Sequence, residues 1–351
     1  MDNFPELLRQ AVGRHASDIH FSVGTAPAAR IDGALVKLCD EKLTVNMADA
    51  IADLVMDDRL HKIYEENGEV DFAYSVPELG RFRVNIFRQR GSTALALRIL
   101  NAKIPDPASL GLPDCVVKMV EKRRGLVLVT GATGSGKSTT LASLINILNQ
   151  NYPYHIITLE DPVEYLHRHA KSIVNQREMG MDSRNYATAL RAALREDPDV
   201  ILVGEMRDLE TISIAVTAAE TGHLVFSTLH TIGAANTIDR IIDVFPPYQQ
   251  QQIRTQLADV LECVVSQQLL PRCDGKGRVA AMEVMLVNGA IRNLIRESKT
   301  FQIPSVIQTN RKLGMITMDD AIFELYGQHI ITEDLALHYA QDRAALAKRI
   351  L

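Results

Sequence analysis

The chain contains no tryptophan, few aromatic residues and no surplus of positive charge, and these shortages argue against one class of function. Aromatic residues make up 5% of the 351 residues, so a platform on which the bases of single-stranded nucleic acid could stack is not expected. The formal net charge of -5 points the same way, because contact with a phosphate backbone favours a basic surface. We therefore do not expect a protein that binds nucleic acid directly.

Cysteines and long apolar runs are also scarce. Cys39, Cys115, Cys263 and Cys273 are scattered singly, without the paired spacing of a zinc site or the density of a disulfide framework. The apolar runs, such as 126–130, are far shorter than a bilayer span. No signal peptide is recognisable at the start of the sequence. The expected location is therefore the cytoplasm.

Length and composition divide the chain into domains, since 351 residues exceed one typical core. Residues 1–100 show short helical and strand patterns separated by turns, which is typical of an α+β domain. Residues 101–113 carry three prolines and are predicted to be a linker. Strands then alternate with helices over 114–270, which predicts an α/β core with a parallel sheet covered on both faces. Residues 271–351 are predicted to be mostly helical.

Hydrophobic periodicity predicts individual elements within these domains. In the first domain we expect a strand pair over 18–30 and one helix over 44–66. The strands predicted for the parallel sheet are 126–130, 155–159, 200–203 and 224–229. One further strand, over 278–287, is expected before the C-terminal helices.

The most specific pattern is the segment from Gly131 to Thr139, GATGSGKST, between an apolar strand and a helical run. Its glycines allow backbone N–H groups and the N-terminus of the following helix to point at a phosphate. The Lys-Ser pair supplies a cation for the β- and γ-phosphates and a hydroxyl ligand for Mg²⁺. The residues predicted to bind ATP are Gly134, Ser135, Gly136, Lys137, Ser138 and Thr139, with Ser138 also holding the metal.

Hydrolysis requires carboxylates near the phosphates, and two predicted strands end in them. Glu205 follows the strand 200–203, so it is expected at the carboxyl edge of the sheet, where it would help to hold Mg²⁺ through water. Glu160 and Glu164 follow another strand and should reach the same edge. Glu160 is predicted to contribute to the nucleotide site, and Glu164 to orient the attacking water. The pattern leaves open whether Glu164 or Glu205 is the catalytic base.

Two further pairs of side chains have both a functional and an ordinary structural interpretation. His223 and His230 flank the strand 224–229, where they could sense the γ-phosphate or simply pack. Arg81 and Arg83 alternate with apolar residues on a predicted strand of the first domain. Arginines outside the nucleotide core can neutralise transition-state charge in a neighbouring subunit, although a solvated strand face is the simpler interpretation.

These residues resemble those of the secretion-type ATPases, and within them the type IV pilus retraction ATPases, over nearly the whole chain. The matching segments are 16–20 (ASDIH), the phosphate loop, 160–164 (EDPVE), 204–208 (GEMRD) and the stretch around the two histidines. The most specific match is 290–297 (AIRNLIRE), in which Arg292 and Arg296 share one face of an amphipathic helix.

The resemblance implies a PAS-like first domain, a RecA-like ATPase core with a C-terminal helical portion, and a ring of six subunits that converts hydrolysis into domain rotation. Arg81 or Arg83 would then meet the nucleotide of a neighbouring subunit, and the AIRNLIRE helix would serve retraction rather than hydrolysis. ATP and Mg²⁺ are the implied cofactors. The implied partner is the inner-membrane platform protein of the pilus, contacted from the cytoplasmic side, and a second retraction ATPase is another candidate partner.

Two alternative functions share parts of this pattern. The first is a nucleotide-gated accessory module that regulates another retraction motor, and the complete set of carboxylates together with the helix 290–297 argues against it. The second is a RecA-like nucleic-acid translocase. The acidic balance and the missing aromatic platform argue against that function.

Overall fold

The computed structural model describes residues 4–31, 33–77, 79–100 and 103–350. The chain forms two compact units, Met1–Lys103 and Ile104–Leu351. The first two residues of the predicted linker, 101 and 102, lie outside the described residues. The rest of that segment includes a 3₁₀ helix over Pro107–Leu110.

The first unit is an antiparallel sheet of six strands accompanied by three helices, in the order β3-β2-β1-β6-β5-β4. Its helices are α1 (Phe4–Gly13), α2 (Val45–Val55) and α3 (Asp58–Asn67). Its strands are β1 (Asp18–Ser22), β2 (Ala28–Ile31), β3 (Ala34–Lys37), β4 (Glu69–Val76), β5 (Gly80–Gln89) and β6 (Ser92–Leu100). The strand pair predicted over 18–30 is confirmed as β1 and β2.

The single helix predicted over 44–66 is wrong, because the chain forms α2 and α3 with a break at residues 56 and 57. Asp57 causes the second start, since its carboxylate accepts a hydrogen bond of 2.8 Å from the backbone N–H of Leu60. Thr44 caps α2 in the same way, through the N–H of Met47. Apolar residues recur on both sides of the break, so periodicity alone describes one continuous helix.

The second unit contains a seven-stranded sheet in the order β13-β12-β7-β11-β10-β8-β9, parallel except for β13. Its strands are β7 (Gly125–Thr130), β8 (His155–Glu160), β9 (Ile173–Glu178), β10 (Val200–Val203), β11 (Leu224–Leu229), β12 (Leu261–Pro271) and β13 (Arg278–Leu286). Its first helices are α4 (Asp114–Val117), α5 (Lys137–Asn151), α6 (Tyr186–Ala193), α7 (Leu209–Glu220), α8 (Ala234–Asp243) and α9 (Pro247–Val260). The C-terminal helices are α10 (Gly289–Arg296), α11 (Ile303–Thr309), α12 (Met318–Gly327), α13 (Glu333–Tyr339) and α14 (Arg343–Ile350).

The four strands predicted for the parallel sheet are confirmed as β7, β8, β10 and β11. Two strands, β9 and β12, were not predicted; β12 follows α9 directly at Leu261, without a glycine or proline to mark the change. The expected strand 278–287 is present as β13, and it pairs with β12 along its length. The core sheet therefore continues past the boundary predicted at residues 270 and 271.

Parallel pairing determines where the functional side chains lie. Strands β7, β10 and β11 are completely buried and run in register, as expected for a sheet covered on both faces. Their last residues therefore meet at one edge, here called the carboxyl edge, and their first residues meet at the opposite, amino edge. Across the described ranges, no helix is both long enough and apolar enough to cross a membrane. The predicted class, an α+β unit before a P-loop core with C-terminal helices, is confirmed.

Candidate active site

The phosphate loop connects β7 to α5, and its path depends on glycine. Gly131 has a φ of +138°, and a Cβ atom there would lie 2.3 Å from the backbone oxygen of Gln267 on β12. The same atom would lie 2.6 Å from the hydroxyl of Ser135. Gly136, with a φ of +93°, occupies the N-cap position of α5. The loop can therefore turn tightly against β12 only because residue 131 has no side chain.

The loop has the features of a phosphate cradle. The ammonium group of Lys137 donates hydrogen bonds of 2.9 and 3.0 Å to the carbonyls of Gly131 and Ala132, so it lies across the loop. The buried hydroxyl of Ser135 has no hydrogen-bond partner among the described residues. A Cβ atom at Gly134 would meet nothing within 4 Å. An unsatisfied hydroxyl, a lysine, a helix N-terminus and open space beside Gly134 together fit an oxyanion such as the phosphates of ATP.

Ser138 and Thr139 are the next residues of α5. The hydroxyl of Thr139 lies 3.0 Å from the phenol oxygen of Tyr165, which belongs to the acidic segment after β8. The phosphate loop is thus bonded to the segment that carries Glu164. Ser138 is half-buried at the second position of α5, where its hydroxyl would be available to a metal ion.

Glu205 emerges at the carboxyl edge, immediately after β10 and Gly204, as predicted. Its side chain is only 12% exposed and pairs with the Nε of Arg207 at 2.6 Å. The Nε2 atom of His230 lies 3.3 Å from the same carboxylate. Burial lowers the pKa of Lys137, while the charges of Glu205 and Glu164 oppose this shift. Both carboxylates are therefore close enough to Lys137 to act on its charge.

The segment that carries Glu205 is fixed by its neighbours. A Cβ atom at Gly204 would lie 2.9 Å from the phenol oxygen of Tyr186 and 3.0 Å from the carbonyl of Leu159. The Thr228 hydroxyl donates a hydrogen bond of 2.5 Å to the Gly204 carbonyl. The backbone around Gly204 is thus held between β8 and β11, which gives Glu205 a defined position.

Glu160, at the end of β8, differs chemically from the other two glutamates. Burial raises its pKa to about 7. Hydrogen bonds from the Thr158 hydroxyl at 2.7 Å and the Gln176 amide at 3.2 Å stabilise the anion and oppose this increase. The nearby charge of Glu164 raises this pKa further. Glu164 itself is exposed, and no described residue donates a hydrogen bond to its carboxylate from a side chain. The carboxyl edge therefore holds a buried carboxyl group that titrates near neutral pH, Glu160, and an exposed one, Glu164.

The structure brings only one of the two predicted histidines to this site. His230 follows β11 at the carboxyl edge and contacts Glu205. His223 precedes β11 at the amino edge, because Leu224 pairs with Gly125, the first residue of β7. Its Nδ1 atom lies 2.9 Å from the carbonyl of Ala218. The prediction that His223 binds the nucleotide is therefore wrong for the site of this chain, since the length of the strand separates it from the phosphate loop.

Buried polar residues of β12 and β13, not identified from the sequence, support the loop after His230. The backbone N–H of Gly233 donates to the Ser266 hydroxyl at 2.9 Å, and that of Ala234 donates to Glu283 at 2.6 Å. Glu283 also accepts a hydrogen bond of 3.3 Å from Met318, and burial raises its pKa. Glu283 thus joins the starts of α8 and α12. The available signal was a polar residue inside an otherwise apolar strand.

Arg81 and Arg83 lie on β5 of the first unit. The apolar residues that alternate with them are buried as predicted, and these are Phe82, Val84 and Ile86. The Nε of Arg83 donates to Asp71 at 3.1 Å, and Arg81 donates to the Ser75 hydroxyl at 3.3 Å. Both arginines therefore have partners within their own unit, and their action on a neighbouring nucleotide stays a prediction.

A magnesium ion would be held mainly by groups outside the protein. No group of three or more His, Cys, Asp or Glu side chains suited to a metal occurs among the residues that the structure describes. Ser138 and Glu205 at the carboxyl edge are oxygen donors of the kind that Mg²⁺ prefers, so they would hold a magnesium ion together with oxygens of the nucleotide and of water. These two donors therefore fit a magnesium ion that binds as a complex with its nucleotide.

The AIRNLIRE segment forms α10 and the residue after it, and it lies at the amino edge. Ile291, Leu294 and Ile295 are buried, which confirms the predicted apolar stripe. The Arg292 guanidinium donates hydrogen bonds of 2.6 and 2.7 Å to the carbonyls of residues 258 and 259, at the end of α9. It also pairs with Glu262 on β12 at 3.2 Å. Arg292 thus fastens α10 to the C-terminus of α9.

Fold and site together define a P-loop ATPase whose candidate catalytic carboxylates follow neighbouring strands of a parallel sheet. The family model described as Type II/IV secretion system protein matches residues 3–324. The chain belongs to that family.

Relatives of known name cover the chain almost completely. The twitching motility protein of Neisseria gonorrhoeae is 47% identical over 321 residues, covering 92% of this chain and 86% of that protein. The type IV pilus retraction ATPase PilT of Pseudomonas aeruginosa is 46% identical over 336 residues, covering 96% and 97%. A crystal structure of the pilus retraction motor PilT with bound ADP has a TM-score of 0.93 at 50% identity, covering 98% of this chain and 99% of that one.

Proposed function

We propose that this chain powers the retraction of type IV pili by hydrolysing ATP. The observation that carries the proposal is the end-to-end similarity to a retraction motor solved with ADP. It is supported by a complete phosphate loop with two carboxylates near Lys137. The AIRNLIRE helix, anchored at the opposite edge of the same sheet, supports retraction over a general ATPase role.

The environments of the two glutamates suggest different roles. Glu205 is paired with Arg207 and His230, so its charge is partly balanced and it suits the ordering of water around Mg²⁺. Glu164 is exposed and accepts no side-chain hydrogen bond from the described residues, so it is the better candidate to orient the attacking water. Lys137 would hold the β- and γ-phosphates, as P-loop lysines do.

The working form that we propose is a ring of six subunits on the cytoplasmic side of the inner membrane. Residues 1–100 would form its PAS-like domain, 114–286 its ATPase core, which includes β12 and β13, and 287–351 its helical portion. Arg81 or Arg83 would act on the nucleotide of a neighbouring subunit. The ring would turn the platform protein of the pilus, so that pilin subunits return to the membrane.

The test is the number and retraction of surface pili in a deletion strain. The strain is complemented with the wild type, with Glu205→Ala, or with Glu210→Ala as a control. Glu210 lies on α7 in an exposed pair with Arg191. We expect excess, non-retracting pili that the wild type and the control correct and Glu205→Ala does not. Bald cells would indicate an assembly ATPase, and unchanged retraction would indicate an accessory module; either outcome contradicts the proposal.

A further inference from the structure

A cavity of about 310 Å³ adjoins the candidate active site at the carboxyl edge. It lies where β10 and β11 end, beside α7 and α8. The residues that line it are Glu205, Met206, Arg207, Ile212, Thr228, Leu229, His230, Thr231, Arg240 and Val244. A buried water needs only about 10–15 Å³ of such space, so the cavity has room for a small anion together with its water.

The cavity has a surplus of positive charge. Glu205 is the one acidic residue among those lining it, against two arginines. The Nε of Arg207 is paired with Glu205 at 2.6 Å, so these two charges balance each other. The guanidinium of Arg240 is exposed and forms neither an ion pair nor a hydrogen bond with any residue that the structure describes. One full positive charge with its donors is therefore available to a ligand.

The hydroxyl groups of the cavity do not compete for that guanidinium. Thr228 donates its proton to the Gly204 carbonyl at 2.5 Å. The Thr237 hydroxyl donates to the Gly233 carbonyl at 2.8 Å, so the hydroxyl of Thr231, 2.7 Å away, donates its proton to Thr237. The exposed N–H donors of Arg240 are therefore open to water or to a ligand that enters the cavity.

Glu205 belongs both to this cavity and to the active site. Its carboxylate lines the cavity and is close enough to Lys137 to act on the charge of that lysine. A phosphate cleaved from a nucleotide held by Lys137 would thus be released beside the wall that Glu205 forms. An arginine guanidinium can bind a phosphate through two parallel N–H···O hydrogen bonds.

We propose that this cavity receives inorganic phosphate after hydrolysis and that Arg240 binds it there. The inference rests on the ATPase activity proposed above. In that reaction water forms a new P–O bond at the γ-phosphorus while the bond to the bridging oxygen of ADP breaks. The products are ADP, inorganic phosphate and a proton. The charge of Arg240 then compensates that of the departing phosphate, which leaves ADP in the phosphate loop.

The test measures binding of inorganic phosphate to the full chain by calorimetry, with Mg²⁺ and a saturating non-hydrolysable ATP analogue present. The analogue fills the phosphate loop, so added phosphate cannot occupy the γ-phosphate position. We expect the wild type to bind phosphate and Arg240→Gln to bind it at least about tenfold more weakly. The phosphate affinity of Arg240→Lys should lie between these two, because lysine keeps the charge but lacks the paired N–H donors of the planar guanidinium. Arg343→Gln is the control, since Arg343 is also exposed but lies on α14.

Absence of phosphate binding to the wild type, or equal affinity in wild type and Arg240→Gln, would overturn the inference. A change in oligomeric state of Arg240→Gln with unchanged phosphate affinity would assign Arg240 to a subunit contact and would also overturn it. In steady-state turnover at saturating ATP, added phosphate should inhibit the wild type more than Arg240→Gln. The binding measurement needs no turnover, so failure of pilus retraction or of hydrolysis would be recognised separately.

Discussion

Replacing Gly131 by alanine is expected to destabilise the second unit strongly, and the structure sets the magnitude. The backbone at Gly131 has a φ of +138°, a conformation that costs a residue with a side chain about 1–3 kcal/mol. The new methyl group would also lie 2.3 Å from the Gln267 carbonyl. Relieving such an overlap requires a backbone shift that costs about 1–3 kcal/mol more. We therefore expect a loss of about 2–6 kcal/mol.

Gly134→Ala is a matched control in the same loop. Gly134 also has a positive φ, of +78°, but a Cβ atom there meets nothing within 4 Å. Only the backbone contribution of about 1–2 kcal/mol applies. The difference between the two variants therefore isolates the contact between the loop and β12.

The assay is thermal unfolding of both variants without nucleotide, at one scan rate. In a unit of roughly 250 residues, each kcal/mol lowers the midpoint by about 2–4 °C. We expect a decrease of about 4–24 °C for Gly131→Ala and of about 2–8 °C for Gly134→Ala. Equal decreases would refute the steric reasoning and would leave only backbone strain as the cause.

Three further predictions test the site and its surroundings. Glu205→Gln should keep affinity for a non-hydrolysable ATP analogue and lose about 10²–10⁴-fold in turnover, measured by phosphate release; turnover near that of the wild type would contradict its role. The folded-state pKa of Glu160 is raised from 4.5 to about 7, so the folded state binds its proton more tightly than the unfolded state does, and stability falls as pH rises between these values. Glu160→Gln should therefore be more stable than the wild type above pH 7, by at most about 3 kcal/mol, and this advantage should vanish below pH 4.5; a pH-independent difference in thermal midpoint would contradict the reasoning. Arg292→Ala should lose about 1–3 kcal/mol of stability and abolish retraction while keeping ATP turnover. Arg296→Ala removes only an exposed pair with Asp259 and should change stability by less than about 1 kcal/mol. Equal thermal midpoints of the two variants would contradict the anchoring role of Arg292.

The part of the site that the sequence revealed consists of local patterns. The phosphate loop needs glycines, a lysine and a hydroxyl at fixed spacing, and each of them is a neighbour of the next along the chain. Glu205 was found because an apolar strand ends just before it, and parallel strands end at the same edge. The apolar stripe of α10 was found from the spacing of Ile291, Leu294 and Ile295.

Other features depend on contacts between distant segments, which no local pattern records. Gln267 follows Gly131 by more than a hundred residues, yet its carbonyl determines that no side chain fits at Gly131. Glu283 supports the start of α8 from β13, 49 residues further along the chain. His223 was misplaced because the sequence shows which strand a residue flanks but not whether that end carries the nucleotide. The break between α2 and α3 was missed because a cap at Asp57 outweighs a continuous apolar pattern.

Strand β12 has a mechanical consequence for a motor. Its first residues adjoin the contacts of Arg292 with α9 and Glu262, and Gln267 lies against the phosphate loop. Hydrogen bonds to β7 and β13 stiffen the strand on both sides over this span of about 20 Å. We therefore expect a force applied at α10 to be transmitted through β12 to the phosphate loop. A pilus under load would then slow or stop ATP hydrolysis, so that ATP is not consumed when the filament cannot move.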